Sequence, residues 1–313
     1  MTRTAVMADN LPPLFRELLG DDYELLPWDV DPHSDSLCRA EALITYGHPR
    51  VDGPLLDRAP NVRVVSNHGV GVDHIDVAAA NARSIPVGNT PGCLDGSTAD
   101  MTWALILATA RNVVVGDQFA RSPEFTVYEP SLLIGKEVNG ATLGIVGLGR
   151  IGQQVAKRAR AFDMRVLYHN RRRDLAAEAE YFAEYRSLDD LLAESDFVTL
   201  NCPLTPETTN LISTAQFAAM KRSAILINMA RGAVVDTDAL YAALRTGRIA
   251  GAGIDVTQPE PLPRDHPLLR LRNLVLTPHL GSASDRTRRR MIEMTIENLR
   301  AGLAGKPLPY RVS

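Results

Sequence analysis

The chain has 313 residues, 45% of them hydrophobic and 23% charged, with a formal net charge of −3. That length favours two domains over one core, and the charge balance excludes a global basic field for nucleic acid or a membrane surface. Three scattered cysteines, Cys38, Cys93 and Cys202, define no disulfide framework and no zinc site. The first ten residues lack an apolar leader core, and the longest apolar run, near WALILATA, is too short to span a bilayer. A reduced cytosolic setting follows as the expectation.

Short apolar runs alternate with helical patterns, which predicts an α/β chain with doubly wound, mostly parallel sheets. The first half carries TAVMAD, YELLPW, ALITYG, VRVVSN and SIPVGN as strands of a smaller domain. Residues 98–122 read as one long helix bridging the domains. ATLGIVG begins a second series. GRIGQQVAKRARAF follows it as a helix with Ile151, Val155, Ala159 and Phe162 on one face. MRVLYH, DFVTLNCP, SAILINMA, GAGIDV and LVLTPH complete six strands, the content of a dinucleotide-binding domain. The last helix starts at a Ser284 or Asp285 cap, ends near Gly302 or Gly305, and is expected to return to the first domain. The expected division is 1–98 with 283–313 as a flavodoxin-like substrate-binding domain, and 99–282 as a dinucleotide-binding Rossmann domain.

Gly147-Leu148-Gly149-Arg150-Ile151-Gly152 is a complete G-x-G-x-x-G between a strand and a helix. The glycines allow the turn, the approach of pyrophosphate and the packing of helix on strand, and the helix N-terminus faces the phosphates. About 20 residues on, NAD-binding chains usually place an acid for the ribose diol. Here Asn170, Arg171 and Arg172 stand there, and the first acid is Asp174. Arginine suits a 2′-phosphate, so the loop predicts NADP(H), with NAD(H) as the weaker alternative. The bland reading is a solvated basic loop. Arg171 is the first choice for the contact.

Arg231, Glu260 and His279 each follow a strand of the same series, at the strand ends where open α/β sheets bind ligands. With VGVDHID, GLGRIG, NCPLTPET, NMARGAVVD, GAGIDVTQPEP and TPHLGSAS, the chain resembles the D-2-hydroxyacid dehydrogenase family over nearly its whole length. Within it, GIDVTQPEPLPRDHPLLRLRNLVLTPHLGSASDRTR looks most like the glyoxylate/hydroxypyruvate reductases.

The resemblance implies reduction of small 2-keto acids, glyoxylate and hydroxypyruvate first, to D-2-hydroxy acids by hydride transfer. Arg231 would hold the substrate carboxylate and polarise its carbonyl, His279 would deliver the proton, and Glu260 would fix the imidazole. The amides of Val70 and Gly71 would bind the carboxylate. Tyr46, Gly47 and His48 end another strand and could line the pocket. Asp255 matches a position near the nicotinamide amide; Pro203, Met229, Gly281 and Ser282 match cofactor-lining positions. A homodimer is implied as well. SPEFTVYEPS carries no Trp where many relatives have one, which leaves substrate size open. The alternatives are another 2-keto acid such as 2-ketogluconate, or a dinucleotide-sensing, corepressor-like binding protein. The RTRRR run, 286–290, reads as a solvated helix face more readily than as an anion site.

Overall fold

The computed structural model describes residues 4–31 and 34–312. The chain divides into two compact units, Met1–Leu94 with Ser284–Ser313, and Asp95–Ala283.

The first unit is built on a five-stranded parallel sheet of β1 (Thr4–Met7), β2 (Tyr23–Leu26), β3 (Ala42–Thr45), β4 (Val65–Asn67) and β5 (Val87–Gly88), ordered β2-β1-β3-β4-β5. All five strands expected from the sequence are present. The Asp285–Leu303 helix belongs to this unit. Ile292, Ile296 and Leu299 of that helix join Phe15, Ile44 and Val64 in one buried cluster. Those three residues recur at helical spacing, and such a stripe is buried. Ser284 is its N-cap residue.

The second unit holds a seven-stranded parallel sheet: β6 (Thr142–Val146), β7 (Arg165–His169), β8 (Ala183–Tyr185), β9 (Phe197–Leu200), β10 (Ile225–Asn228), β11 (Gly251–Ile254) and β12 (Leu274–Leu276). Their order is β12-β11-β10-β9-β6-β7-β8. The chain starts at β6 and winds first toward β8, then back across β6 to β9 and outward. The switch point therefore lies between β6 and β9, where the Gly-rich turn emerges. The central strands β9, β10 and β11 are buried along their full length, as a sheet covered on both faces requires.

Two expectations need correction. The sheet has a seventh strand, β8, absent from the sequence reading. Its three residues are alternately buried, exposed and half-buried, too short a pattern to register as a strand. It is held by parallel pairing to β7 and by Arg165 and Arg186 ion pairs to Glu184, 2.8 and 2.7 Å. The segment 98–122 is two helices, Asp95–Ala110 and Val113–Ala120. Asn112 breaks it with φ +53, a conformation Asn tolerates better than most residues, while its side chain donates to the Leu133 carbonyl at 3.1 Å. The first of these helices is core of the second unit. Trp103 stacks on Phe162 at 4.5 Å and donates its indole N–H to the Val155 carbonyl.

His68, at 6% exposure, packs against Tyr46 and Phe15, with Nδ1 3.3 Å from Thr295 Oγ1. Burial, then the nearby charges of Arg288 and His48, push its pKa down to about 3. The folded chain keeps this ring neutral, whereas the unfolded chain protonates it below about pH 6.5. Its contribution to stability is therefore full above pH 6.5 and is lost progressively as pH falls toward 3, on the order of a few kcal/mol. Urea unfolding at pH 7 and pH 4.5 should show His68→Gln losing distinctly less stability than the parent chain. Equal losses would show that His68 does not set this dependence.

Candidate active site

The Gly-rich turn runs from the end of β6 into the Arg150–Ala159 helix, whose N-cap residue is Gly149. Gly147 has φ +98, and a Cβ there would stand 2.7 Å from the Cys202 amide nitrogen. A Cβ on Gly152 would strike the Gly147 carbonyl oxygen. A Cβ on Gly149 would meet no protein atom within 4 Å. The outer glycines thus satisfy the protein's own packing, whereas Gly149 faces open space in front of the first-turn N–H groups of Arg150 and Ile151. That is the shape a pyrophosphate requires, so the residues fit a dinucleotide.

The loop after β7 is organised by four side chains. Asn170 Oδ1 accepts the Leu148 N–H of the Gly-rich turn at 2.7 Å. Tyr168 donates its hydroxyl to Glu178 at 2.6 Å and accepts the Asp174 N–H at 2.9 Å. Arg173 pairs with Glu178 at 2.7 Å. Asp174, the first acid of the loop, caps the Leu175–Tyr181 helix by accepting the Ala177 N–H. Arg171 and Arg172 are exposed.

Arg231, Glu260 and His279 follow β10, β11 and β12. Glu260 Oε1 lies 2.6 Å from His279 Nδ1, which assigns Nε2, the opposite ring nitrogen, to any proton exchange with a ligand. Oε2 of Glu260 accepts the Thr257 N–H at 3.3 Å. Gly232 packs so closely on the Thr257 backbone that a Cβ would collide with it, so the segments carrying Arg231 and Glu260 touch directly. Asn228, 1% exposed, accepts the Ala230 N–H and donates to the Arg231 carbonyl at 2.9 Å.

His279 has φ +58, rare for a non-glycine residue and found where surrounding bonds impose it. Asp255 imposes it. Its Oδ1 accepts the Thr277 hydroxyl at 2.6 Å and the Leu280 N–H at 2.7 Å. Its Oδ2 accepts the Gly281 N–H at 2.7 Å, and its carbonyl accepts the His279 N–H at 2.9 Å. The sequence reading placed Asp255 by the nicotinamide and missed this clamp. Met229 lies against Gly281, its Cε 3.2 Å from where a Cβ would sit. The Pro203 carbonyl accepts the Thr208 hydroxyl, and Ser282 is half-buried beside Gly281. Among the described residues no cluster of three His, Cys, Asp or Glu could hold a metal ion.

In the first unit, Val70 and Gly71 lie in the turn after β4. Within the described residues their N–H groups donate to no protein acceptor. Tyr46 is half-buried, its ring edge-on to Phe15 at 6.3 Å and 5.0 Å from His68. His48 has φ +62, and its ring lies 4.9 Å from that of His74. In the RTRRR run, Arg289 and Arg290 pair with Glu293, and Arg290 also with Glu297, as a solvated helix face does.

A doubly wound sheet with a glycine turn at its switch point and an imidazole–carboxylate pair at its strand ends is the architecture of a nicotinamide-dependent dehydrogenase. Residues 103–281 match the family model of the D-isomer specific 2-hydroxyacid dehydrogenase NAD-binding domain, and the chain belongs to that family. Among curated relatives, a glyoxylate reductase of Aeropyrum pernix is 47% identical, over 95% of this chain and 92% of its own. One of Pyrococcus horikoshii is 46% identical, over 97% and 94%. Among solved structures, a Thermus thermophilus protein is 46% identical with TM-score 0.89, covering 99% of this chain and 100% of its own. An NADPH-dependent glyoxylate/hydroxypyruvate reductase of Sinorhizobium meliloti, in complex with NADP and malonate, is 30% identical with TM-score 0.91, covering 99% and 97%.

The glycine turn yields a paired prediction. Gly149→Ala should leave folding stability within about 0.5 kcal/mol, as no protein atom is met, yet weaken dinucleotide binding at least tenfold in a fluorescence titration. Gly152→Ala should destabilise the fold, although Gly→Ala in a helix is ordinarily favourable by about 1 kcal/mol. Unchanged affinity in Gly149→Ala would remove the pyrophosphate from this space.

Proposed function

We propose that the chain is an NADPH-preferring reductase of glyoxylate and hydroxypyruvate, forming D-2-hydroxy acids. The observation that carries the cofactor preference is the YHNRRRD loop. Its one acid caps a helix, Arg173 is bound to Glu178, and Arg171 with Arg172 is left at the surface to meet a 2′-phosphate. The Sinorhizobium reductase, an NADPH enzyme of similar fold, supports the same reading.

Reduced nicotinamide, when bound, supplies the hydride. Arg231 holds the substrate carboxylate and draws charge from the carbonyl. His279 gives its Nε2 proton to the carbonyl oxygen as hydride reaches the carbon. Glu260, on Nδ1, keeps the ring oriented and balances its charge before transfer. In the reverse direction the same ring takes the proton from the hydroxyl. Asp255 holds the turn that presents His279, and Met229, Pro203, Gly281 and Ser282 line the nicotinamide end. The amides of Val70 and Gly71 bind a substrate carboxylate, with Tyr46 lining the same turn. Three free thiols fit a reducing cytosol.

We also propose a homodimer. Val113, Phe125, Val127, Tyr128 and Ile134 are 54%, 49%, 71%, 79% and 76% exposed within one sequence stretch of the second unit, large apolar side chains of the kind that mark an interaction surface. A second copy covers it; light scattering should return twice the chain mass, and a monomer mass at micromolar concentration would refute this.

The deciding assay is kcat/KM for NADPH over NADH with each keto acid. A ratio well above ten is expected, and Arg171→Ala should lower NADPH efficiency roughly 10- to 100-fold, one charge-assisted contact, while sparing NADH. Equal losses would refute the phosphate contact. In the same assay His279→Ala should abolish turnover with NADPH binding retained. Turnover by neither substrate would favour a larger keto acid, then a sensing role.

A further inference from the structure

The turn after β4 is fixed from within by two side-chain amides. Asn67, fully buried, donates both N–H bonds of Nδ2 to this turn, to the Gly69 carbonyl at 3.0 Å and the Gly71 carbonyl at 2.9 Å. Its Oδ1 accepts the Thr45 hydroxyl at 2.7 Å and lies 3.2 Å from His74 Nε2. Both donors of Asn67 are engaged and its oxygen accepts a hydroxyl, so its amide has a single orientation. Asn89 takes the carbonyl between, donating Nδ2 to Val70 at 2.9 Å. Its own carbonyl accepts Asn298 Nδ2 at 3.0 Å, so the donor is itself anchored to the Asp285–Leu303 helix.

A trans peptide is planar, with its C=O and N–H pointing in opposite directions. The Gly69 carbonyl, held by Asn67 and by the Thr90 N–H at 3.0 Å, turns the Val70 N–H the other way. Holding the Val70 carbonyl toward Asn89 does the same to the Gly71 N–H. Neither of these N–H groups meets a protein acceptor among the described residues.

We propose that Asn67 and Asn89 are the positioning residues of the carboxylate-binding amides, Asn67 aiming Val70 N–H and Asn89 aiming Gly71 N–H. The proposal rests on the reading that these amides bind the substrate carboxylate. Neither asparagine touches the substrate; each acts through the peptide whose carbonyl it holds. A carboxylate is bound in ground and transition state alike, so misaiming these amides raises KM and spares kcat.

The test is steady-state kinetics of Asn67→Asp and Asn89→Asp in the full-length enzyme at saturating NADPH. Each change preserves shape while setting an oxygen against a carbonyl oxygen. For each, KM for glyoxylate should rise roughly 10- to 100-fold with kcat within about threefold and KM for NADPH unchanged. The dissociation constant of oxamate from the enzyme–NADPH complex should rise in parallel. A purely structural role would lower kcat through lost folded enzyme at constant KM, and that outcome overturns the proposal, as does a KM within twofold of the parent. Should Asn67→Asp fail to fold, Thr45→Val, which removes only the hydroxyl orienting Asn67, must raise KM several-fold. Gly71→Pro deletes one of the N–H groups itself. If it folds and leaves KM unchanged, the carboxylate reading falls. If it raises KM while the asparagine variants do not, only the positioning role falls.

Discussion

The carboxylate of Asp255 is the constraint on which the chemistry of this chain depends. It is 2% exposed, and a buried carboxylate persists only when its oxygens are satisfied. Here they are satisfied by the backbone and side chain of the Thr277–Gly281 turn. The bonds cannot form unless that turn winds back on β11, and the winding forces His279 into a left-handed conformation. Strain of that kind costs about 1–3 kcal/mol. Three hydrogen bonds to a charged group, each worth about 1.5–3 kcal/mol, outweigh it. The imidazole that meets Glu260 is therefore placed by a residue that does not touch it through its side chain.

The same device recurs at three other strand ends. Asn67 ends β4 and Asn228 ends β10; Asp255 follows β11 directly and Asn170 follows β7. Each turns its side chain onto the backbone of a loop at the carboxyl ends of the strands. A strand end is rigid because its neighbours are paired on both sides, and loops leave it with unpaired peptide groups. A short amide or carboxylate at that position reaches these groups at little conformational cost. Parallel strands all end on one edge of the sheet, which is why the glycine turn, Arg231, Glu260 and His279 arise from different strands of one sheet.

How much of this was legible in the sequence depended on the range of the signal. The apolar runs of both sheets, the cap and glycine signals of the last helix and the complete glycine motif are local patterns, and the strands and helices they define are present. The pairing of Glu260 with His279 was reached through family resemblance, not periodicity. β8 escaped because three residues with one buried side chain make no pattern. The break at Asn112 escaped because neither Gly nor Pro marks it; Asn there relies on carbonyls at Leu133 and Ile134, far along the chain. Asn67, Asn228 and the clamp role of Asp255 escaped for a related reason. A polar residue at a strand end reads as turn chemistry, and only the folded loop shows which carbonyls and amides it holds.

The loop that raised the cofactor question shows how a single atom type can serve both fold and selectivity. Asn170 Oδ1 accepts the Leu148 N–H at 2.7 Å and so ties the end of β7 to the glycine turn. An aspartate could make that bond equally well. Its charge, however, would stand one and two residues from Arg171 and Arg172, partly cancelling the field those side chains present, and would repel a phosphate outright. Asparagine keeps the hydrogen bond and withholds the charge. Arg173 is neutralised by Glu178 and Asp174 is committed to capping a helix. The positive character of the loop is thereby left to Arg171 and Arg172, in a chain whose formal net charge is −3.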